Sequence, residues 1–156
     1  MTFLSLNSMH VGDAGASALA AALGRGVLPR RKILHLYSAT IGDAGLVALT
    51  PALRRRPALE RLDLSGNPLG DEGLAALVAP PPPPAGAPTG VLTKLKQLNL
   101  SGTQVNDTGC AALAAALDDG ALPALVDLYL RGTLASTAAK TAVYAARDGL
   151  RAFPYG

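Results

Sequence analysis

The fold of this chain is decided by the stretch LDLSGNPLGDEGLAAL, which runs from Leu62 to Leu77. The stretch LNLSGTQVNDTGCAALAAAL, from Leu98 to Leu117, repeats its pattern in register. Five copies of the pattern open with a pair of leucines separated by one residue: Leu4/Leu6, Leu34/Leu36, Leu62/Leu64, Leu98/Leu100 and Leu128/Leu130. The first leucines of successive pairs are 30, 28, 36 and 30 residues apart. A period of this size indicates a solenoid of stacked units.

Each unit changes its hydrophobic period part-way along. Residues 3–7 alternate with a period of two, whereas Ala18, Leu19, Ala22 and Leu23 have the spacing of one helix face. The pattern therefore predicts a strand, a turn and a helix in every copy. One such unit is too small to bury its own leucines, so stacking has to supply the core. The expected fold class is α/β, with a parallel sheet against a row of helices.

Two further columns recur between the strand and the end of each unit. The seventh and ninth positions after the second leucine are Asp and Gly in four copies: Asp13/Gly15, Asp43/Gly45, Asp71/Gly73 and Asp107/Gly109. The fifth copy has Thr137 and Ala139 instead. We expect the aspartates to favour helix starts through the helix dipole, and the glycines to permit close backbone approach. The twelfth position is Ala18, Ala48, Ala76, Ala112 or Ala142. This alanine column is expected to lie between helix and sheet.

The two quoted stretches resemble the leucine-rich repeat family, in its long-repeat class typified by ribonuclease inhibitor. The resemblance spans nearly all of the chain. It implies a horseshoe-shaped solenoid with the parallel sheet on the concave side and the helices on the convex side. This family often has Asn or Cys three positions after the second leucine, and here only Asn67 keeps the amide. We therefore expect the side-chain ladder built at that position to be incomplete.

The domain organisation follows from the repeats. We predict one leucine-rich-repeat domain over residues 1–156, with repeats near 3–32, 33–60, 61–96, 97–126 and 127–150. A proline-rich insertion at residues 80–90 includes Pro80 to Pro84, which is either a tolerated surface loop or a docking motif for an SH3, WW or profilin-like domain. Pro51 falls within the second helix, where we expect a kink or a restart. Because no polar cap precedes the first strand, we interpret the chain as a fragment of a longer array.

Composition narrows the choice of partners and compartment. The formal net charge is only +3, so nucleic-acid binding is not expected. The single cysteine, Cys110, occupies a helix position that is apolar in other copies, and it is expected to be buried. No apolar run is long enough to span a bilayer, and no signal peptide is evident. These features predict a cytoplasmic protein with no membrane segment.

The sequence does not predict a catalytic site. His35 and Asp63 occupy the middle of neighbouring Leu-x-Leu pairs and are expected to face each other, but no serine or cysteine joins them as a nucleophile. The recurring aspartates have no second ligand beside them, which argues against metal binding. No glycine-rich phosphate loop of a nucleotide-binding enzyme occurs. We therefore predict that the protein is not an enzyme and has neither a metal nor a cofactor.

The remaining surface is the open side of the sheet, where three residues per unit are expected to point outward. These residues differ between copies while the neighbouring leucines do not. We predict a non-catalytic scaffold that binds an unidentified protein on this concave face, because Tyr and Arg dominate interface hot spots. The predicted contact residues are His35, Tyr37, Arg61, Asp63, Asn99, Tyr129 and Arg131.

Two other functions remain open from the resemblance. Activators of Ran-type small GTPases are built on the same long repeat, so the chain is alternatively a fragment of such an activator. Similar repeats also form the sensor portion of nucleotide-binding receptors of the immune type. Further upstream repeats with an acidic extension would favour the activator, and an upstream Walker motif would favour the receptor.

Overall fold

The computed structural model describes residues 3–5, 11–24, 32–54, 59–78, 94–119, 122–146 and 150–151. Within these residues, strands and helices alternate along the chain. The strands are β1 Phe3–Ser5, β2 Ile33–His35, β3 Arg61–Asp63, β4 Gln97–Asn99 and β5 Asp127–Tyr129. The helices are α1 Gly12–Gly24, α2 Asp43–Arg54, α3 Asp71–Val78, α4 Asp107–Asp118 and α5 Thr137–Ala145. The predicted alternation of strand, turn and helix is confirmed.

The strands form one parallel sheet in sequence order, from β1 to β5. The register pairs equivalent residues, so Leu34, Leu62, Leu98 and Leu128 lie opposite one another on successive strands. Parallel strands repeat at about 4.8 Å, whereas packed helices need about 8–10 Å. The sheet therefore forms the shorter, concave side of the stack. The α/β solenoid predicted from the sequence is confirmed.

The core lies between the sheet and the helices. Both leucines of the pairs in the second to fifth repeats are at most 4% exposed. The helices meet them with one apolar position per turn, such as Leu46 and Leu49 on α2, which are fully buried. Cys110 is 1% exposed at the corresponding position of α4, as expected. Truncating one of these leucines to alanine typically costs about 2–5 kcal/mol of stability, because the stack cannot close over the cavity.

Two expectations about the helices are wrong. The alanine column does not lie between helix and sheet, because Ala18 and Ala142 are exposed and the other three members are only partly buried. The neighbouring positions, such as Leu49 and Val143, fill that space instead. Likewise, the restart expected at Pro51 does not occur, because α2 is one helix from Asp43 to Arg54; the alternative of a kink at Pro51 stays a prediction. Proline lacks the N–H that would bond to the carbonyl of Val47, and α2 continues with this one hydrogen bond missing.

The recurring aspartates join neighbouring repeats. Oδ1 of Asp13 accepts hydrogen bonds from the N–H groups of Gly42 and Gly45, at 2.8 and 3.0 Å. Oδ1 of Asp43 accepts from Gly70 and Gly73 in the same way, at 2.7 and 2.8 Å. Each carboxylate thus stabilises the start of the following helix in addition to its own. The sequence predicted the position of these acids but not this contact between repeats.

This contact explains the glycine in the Asp-x-Gly motif. A Cβ atom on Gly45 would lie 2.5 Å from Oδ1 of Asp13, and one on Gly73 would lie 2.8 Å from Oδ1 of Asp43. The fifth repeat differs because Asp107 binds the N–H and hydroxyl of Ser136, and Ser136 Oγ accepts the N–H of Ala139. Ser136 replaces the distant carboxylate as the cap of that helix, so a side chain is tolerated at Ala139.

Asn67, which keeps the amide that the family often has at this position, has a structural role. Asn67 is 1% exposed, and its Oδ1 accepts the N–H groups of Ala39 and Ile41 in the preceding repeat. Its Nδ2 donates to the carbonyls of Leu36 and Leu64, at 2.8 and 2.9 Å. At the same position, the hydroxyls of Thr103 and Thr133 donate only within their own repeats, to Leu100 and Leu130. The expected gap in the side-chain ladder is confirmed.

The turns that follow β2 to β5 each contain a left-handed residue at the same repeat position. Gly66, Gly102 and Gly132 adopt φ of 69°, 68° and 71° at this position. The second repeat has Ser38 there, with φ of 52°, and Thr40 follows it with φ of 62°. A non-glycine residue in this conformation costs about 1–2 kcal/mol. Among the turns that follow β2 to β5, the turn of the second repeat is therefore the strained one.

The sheet is closed beyond β5. The backbone of Arg151 forms a parallel bridge with Asp127, and its carbonyl accepts the N–H of Leu128. The hydroxyl of Tyr144, on α5, donates to the carbonyl of Leu128 at 2.6 Å. Burial raises the pKa of Tyr144 to about 12, with smaller effects of Cys110 and Tyr129. These contacts satisfy the polar backbone groups at this edge.

Candidate functional site

The open sheet face is the side of β2 to β5 that points away from the helices. The strands are three residues long, so each contributes two outward positions rather than the predicted three. The third predicted position, occupied by Tyr37, Ser65, Ser101 or Arg131, begins the following turn. The backbone pairing nevertheless extends through these turns, since the N–H of Ser38 donates to the carbonyl of Ser65 at 2.9 Å. These turns are therefore held in the same register as the strands.

Four of the seven predicted residues form one continuous row. His35 is the register partner of Asp63, Asp63 of Asn99, and Asn99 of Tyr129. All four side chains are partly buried. Because neighbouring strands are about 4.8 Å apart, the row is about 14 Å long. A partner that lies across the strands can contact all four residues at once.

The other three predicted residues lie to either side of this row. Arg61 is exposed at the start of β3, where it is the outward-facing residue two positions before Asp63. Tyr37, which is 40% exposed, and Arg131 lie in turns at the opposite side, at the two ends of the face. Three strand spacings, about 14 Å, separate these two turns. The structure thus brings the seven residues to one face, but it does not bring Tyr37 and Arg131 together.

Two polar members of the row are held by the turns that follow them. Oδ1 of Asp63 accepts both the N–H and the hydroxyl of Ser65, at 3.0 and 2.6 Å. Oδ1 of Asn99 accepts the N–H of Ser101 at 3.0 Å. These bonds fix the two side chains before any partner arrives, which lowers the entropy cost of binding.

The face is electrostatically mixed near β5. Burial raises the pKa of Tyr129, Asp127 raises it further, and the charges of Arg151 and Arg61 act in the opposite direction. Arg151 also forms an ion pair with Asp127, at 3.0 Å between Nε and Oδ1. The phenol of Tyr129 therefore stays neutral at physiological pH, between two arginine charges. It can act as a hydrogen-bond donor and as an apolar anchor.

Sequence reasoning missed the contribution of Arg151 to this face. Arg151 lies after the fifth helix and belongs to no Leu-x-Leu pair, so the repeat pattern gives it no position. In the structure it adds one residue to the sheet beside β5 and carries its charge to the start of the strands. The one signal in the sequence is that Asp127 occupies the same repeat position as Arg61. Charged side chains therefore occur at this position in two repeats.

The described residues contain no cluster of three or more His, Cys, Asp or Glu side chains that could hold a metal ion. His35 and Asp63 are register partners, as expected, but Asp63 uses Oδ1 to bind Ser65. Burial raises the pKa of the Cys110 thiol, and Asp107 and Asp71 add to this effect. A buried thiol with a raised pKa is a poor nucleophile. None of the helices in the described part of the chain is long and apolar enough to cross a membrane.

Comparison with known proteins agrees with this geometry. The profile of the leucine-rich repeat family matches residues 57–78 and 91–114, which contain β3, α3 and β4. These two stretches, which make up less than a third of the chain, are similar to leucine-rich repeats. Proteins of this family generally serve as non-catalytic binding scaffolds. No curated protein sequence matches the chain significantly.

Solved structures show the same fold. In total, 52 chains match this leucine-rich-repeat solenoid. One is the leiomodin-1 actin-binding site 2, with a TM-score of 0.63 and 14% sequence identity over 81% of this chain and 69% of the other. At this identity the likeness concerns the fold alone.

Proposed function

We propose that this chain is a non-catalytic scaffold of the long-repeat, ribonuclease-inhibitor-like class, which binds a protein partner on its open sheet face. The supporting observation is the row from His35 to Tyr129. Its four members occupy equivalent positions on a regular backbone, yet they are an imidazole, a carboxylate, an amide and a phenol. A constant backbone that displays varied side chains can recognise a specific surface.

The anchors in this proposal are Tyr37, Tyr129, Arg61 and Arg131. Tyr and Arg contribute most to interface hot spots, because they combine a large apolar area with hydrogen-bonding capacity. Tyr37 exposes 40% of its surface. His35, Asp63 and Asn99 set specificity between the anchors, and the side chains of Asp63 and Asn99 are already held by Ser65 and Ser101.

Binding rather than catalysis also agrees with the composition of the face. Oδ1 of Asp63, the register partner of His35, is bound to Ser65, and within the described residues His35 forms no hydrogen bond or ion pair with a carboxylate that would orient it as a general base. Cys110 is buried behind the sheet. We accordingly propose that the protein is not an enzyme, and that it acts in the cytoplasm, where a lone buried thiol stays reduced.

The experiment compares two triple variants of the full chain as baits in cell lysate. The first changes the face: Tyr37→Ala, Tyr129→Ala and Arg131→Ala. The matched control changes the helix side: Val47→Ala, Glu72→Ala and Lys140→Ala, at positions that are exposed or partly buried. Circular dichroism would establish that both variants are folded.

We expect the face variant to lose at least one captured protein that the parent and the control retain. Purified actin is included as a defined candidate, because a structural neighbour is an actin-binding site by its name. Equal recovery of every protein by the parent and both variants would contradict the proposal. A deletion of residues 80–88 tests the proline-rich segment separately; this segment lies outside the described residues.

A further inference from the structure

Four cations lie at the edge of the open sheet face where the strands begin. This strand-start rim consists of Lys32, Arg61, Lys96 and Arg151. Lys32 and Lys96 directly precede β2 and β4, Arg61 opens β3, and Arg151 pairs with the first residue of β5. Backbone hydrogen bonds hold them in one order, since the carbonyl of Lys32 accepts the N–H of Arg61 and the carbonyl of Lys96 accepts that of Asp127.

The rim contains acids too, but these are less exposed than the cations with which they pair. In the pair of Lys96 with Glu60, at 3.9 Å, the lysine side chain is 61% exposed and the glutamate 31%. In the pair of Arg151 with Asp127, the arginine is 69% exposed and the aspartate 27%. In both pairs the cation is therefore the more accessible partner.

The other two cations are not neutralised within the described residues. Lys32 and Arg61 are exposed, and neither has an acidic side chain within ion-pair distance in that part of the chain. At the opposite edge, Asp43 and Asp107 use their carboxylates to bind backbone N–H groups of the next repeat. The outward charge of the open face is thus positive along the rim.

We propose that the strand-start rim receives an acidic segment of the protein partner, extended across the strands from β2 to Arg151. This rests on the proposed function and adds the chemistry of the partner. The rim spans four strand spacings, about 19 Å, and an extended chain of about six residues covers that length at about 3.3 Å per residue. Carboxylates on such a segment would pair with Lys32, Arg61 and the outer cations of the two ion pairs.

A protein segment fits the rim better than a nucleic acid. Glu60, Asp63 and Asp127 lie within or directly behind the contact surface and would repel a continuous row of phosphates. A peptide can place carboxylates at the cations and neutral residues elsewhere. Exposed ion pairs are individually weak and are screened by salt, so the tyrosine anchors supply most of the affinity and the rim supplies orientation and salt dependence.

The test selects a displayed library of random peptides of about twelve residues on the immobilised full-length chain at low ionic strength. The fraction of Asp and Glu in the recovered peptides is compared with the input library. The most frequent peptide is then synthesised, and its Kd is measured for the parent, for Arg61→Glu and for Lys140→Glu. Lys140 lies on α5, away from the rim, so its reversal changes the net charge equally and serves as the matched control.

We expect acidic residues to be enriched, Arg61→Glu to weaken binding by about tenfold or more, and Lys140→Glu to change it by less than about threefold. Recovered peptides without acidic enrichment, an empty selection, or equal effects of the two reversals would each overturn the proposal. The proposal would also be overturned, in favour of nucleic acid, if a twelve-nucleotide oligothymidylate bound more tightly than the selected peptide and Arg61→Glu abolished that binding. One outcome distinguishes this proposal from the proposed function. If neutral peptides bind, and only the face triple variant weakens their binding, the open sheet face remains the binding site but the proposal of an acidic partner segment is wrong.

Discussion

The boundary between the second and third repeats is built differently from the one between the fourth and fifth. In the first, Asn67 is buried and bridges the two units through Ala39, Ile41 and Leu36. In the second, Thr133 bonds only within its own repeat. Equivalent positions in one solenoid thus stabilise neighbouring units to different degrees. Stability in this chain is expected to vary along the stack, since it is a sum of local units and their interfaces.

The largest effect is expected for Asn67→Ala. The substitution removes the hydrogen bonds of two buried N–H groups and two buried carbonyls, which should lower the free energy of unfolding by about 2–4 kcal/mol. Thr103→Ala, at the same position of the next repeat, removes a single bond and should cost about 1 kcal/mol. Urea unfolding followed by circular dichroism measures both. Equal losses in the two variants would remove the distinction between the boundaries.

The next effect concerns the aspartates that join repeats. Asp43→Ala removes two partly buried hydrogen bonds to the start of α3, and we expect a loss of about 2 kcal/mol. Asp107→Ala should cost about 0.5–1 kcal/mol, because Ser136 continues to cap α5. The same unfolding experiment checks the pair. A larger loss in Asp107→Ala would show that the cap at Ser136 does not compensate.

A third prediction concerns the closed edge beyond β5. Tyr144→Phe removes the hydrogen bond to Leu128 and should cost about 1 kcal/mol at neutral pH. The folded-state pKa of Tyr144 is about 12, above its ordinary value of 10.0, so folding favours the neutral phenol. This contribution is complete below about pH 10 and is lost as pH rises toward 12. One pKa unit corresponds to about 1.4 kcal/mol, so the unfolding free energy of the parent should fall to that of Tyr144→Phe within this range and pass below it as the pH approaches 12. A difference in unfolding free energy that does not change with pH would contradict the raised pKa of Tyr144.

The smallest effect is expected where the second repeat is strained. Ser38→Gly places glycine at the position that Gly66, Gly102 and Gly132 occupy in other repeats. Glycine adopts the left-handed conformation without strain, but it also loses more conformational entropy on folding than serine does. The net effect should be to raise stability by about 0.5–1 kcal/mol. The reverse change, Gly66→Ala, should destabilise, because its Cβ would lie 2.8 Å from Oγ of Ser38. Thermal unfolding distinguishes the two signs, and destabilisation by Ser38→Gly would refute the strain.

The candidate site was predicted in part. Alternation around the leucine pairs was sufficient to place His35, Asp63, Asn99 and Tyr129 on one face, and the register makes them a single row. The alternation did not reveal that Tyr37 and Arg131 lie in turns, because the strand ends after three residues. Arg151 was not found, since it enters the sheet from outside the repeat pattern.

The sequence by itself determined the repeated unit, the α/β solenoid and the identity of the buried leucines, because hydrophobic periodicity reports directly which side of a strand or helix is buried. Only the tertiary structure decided what the Asp-x-Gly motif does, where the alanine column lies and how β5 is closed. These features depend on contacts between residues about 30 positions apart, such as Asp13 with Gly45. The repeat pattern shows the spacing in sequence between such residues. Which residue contacts which is decided only when one unit packs on the next.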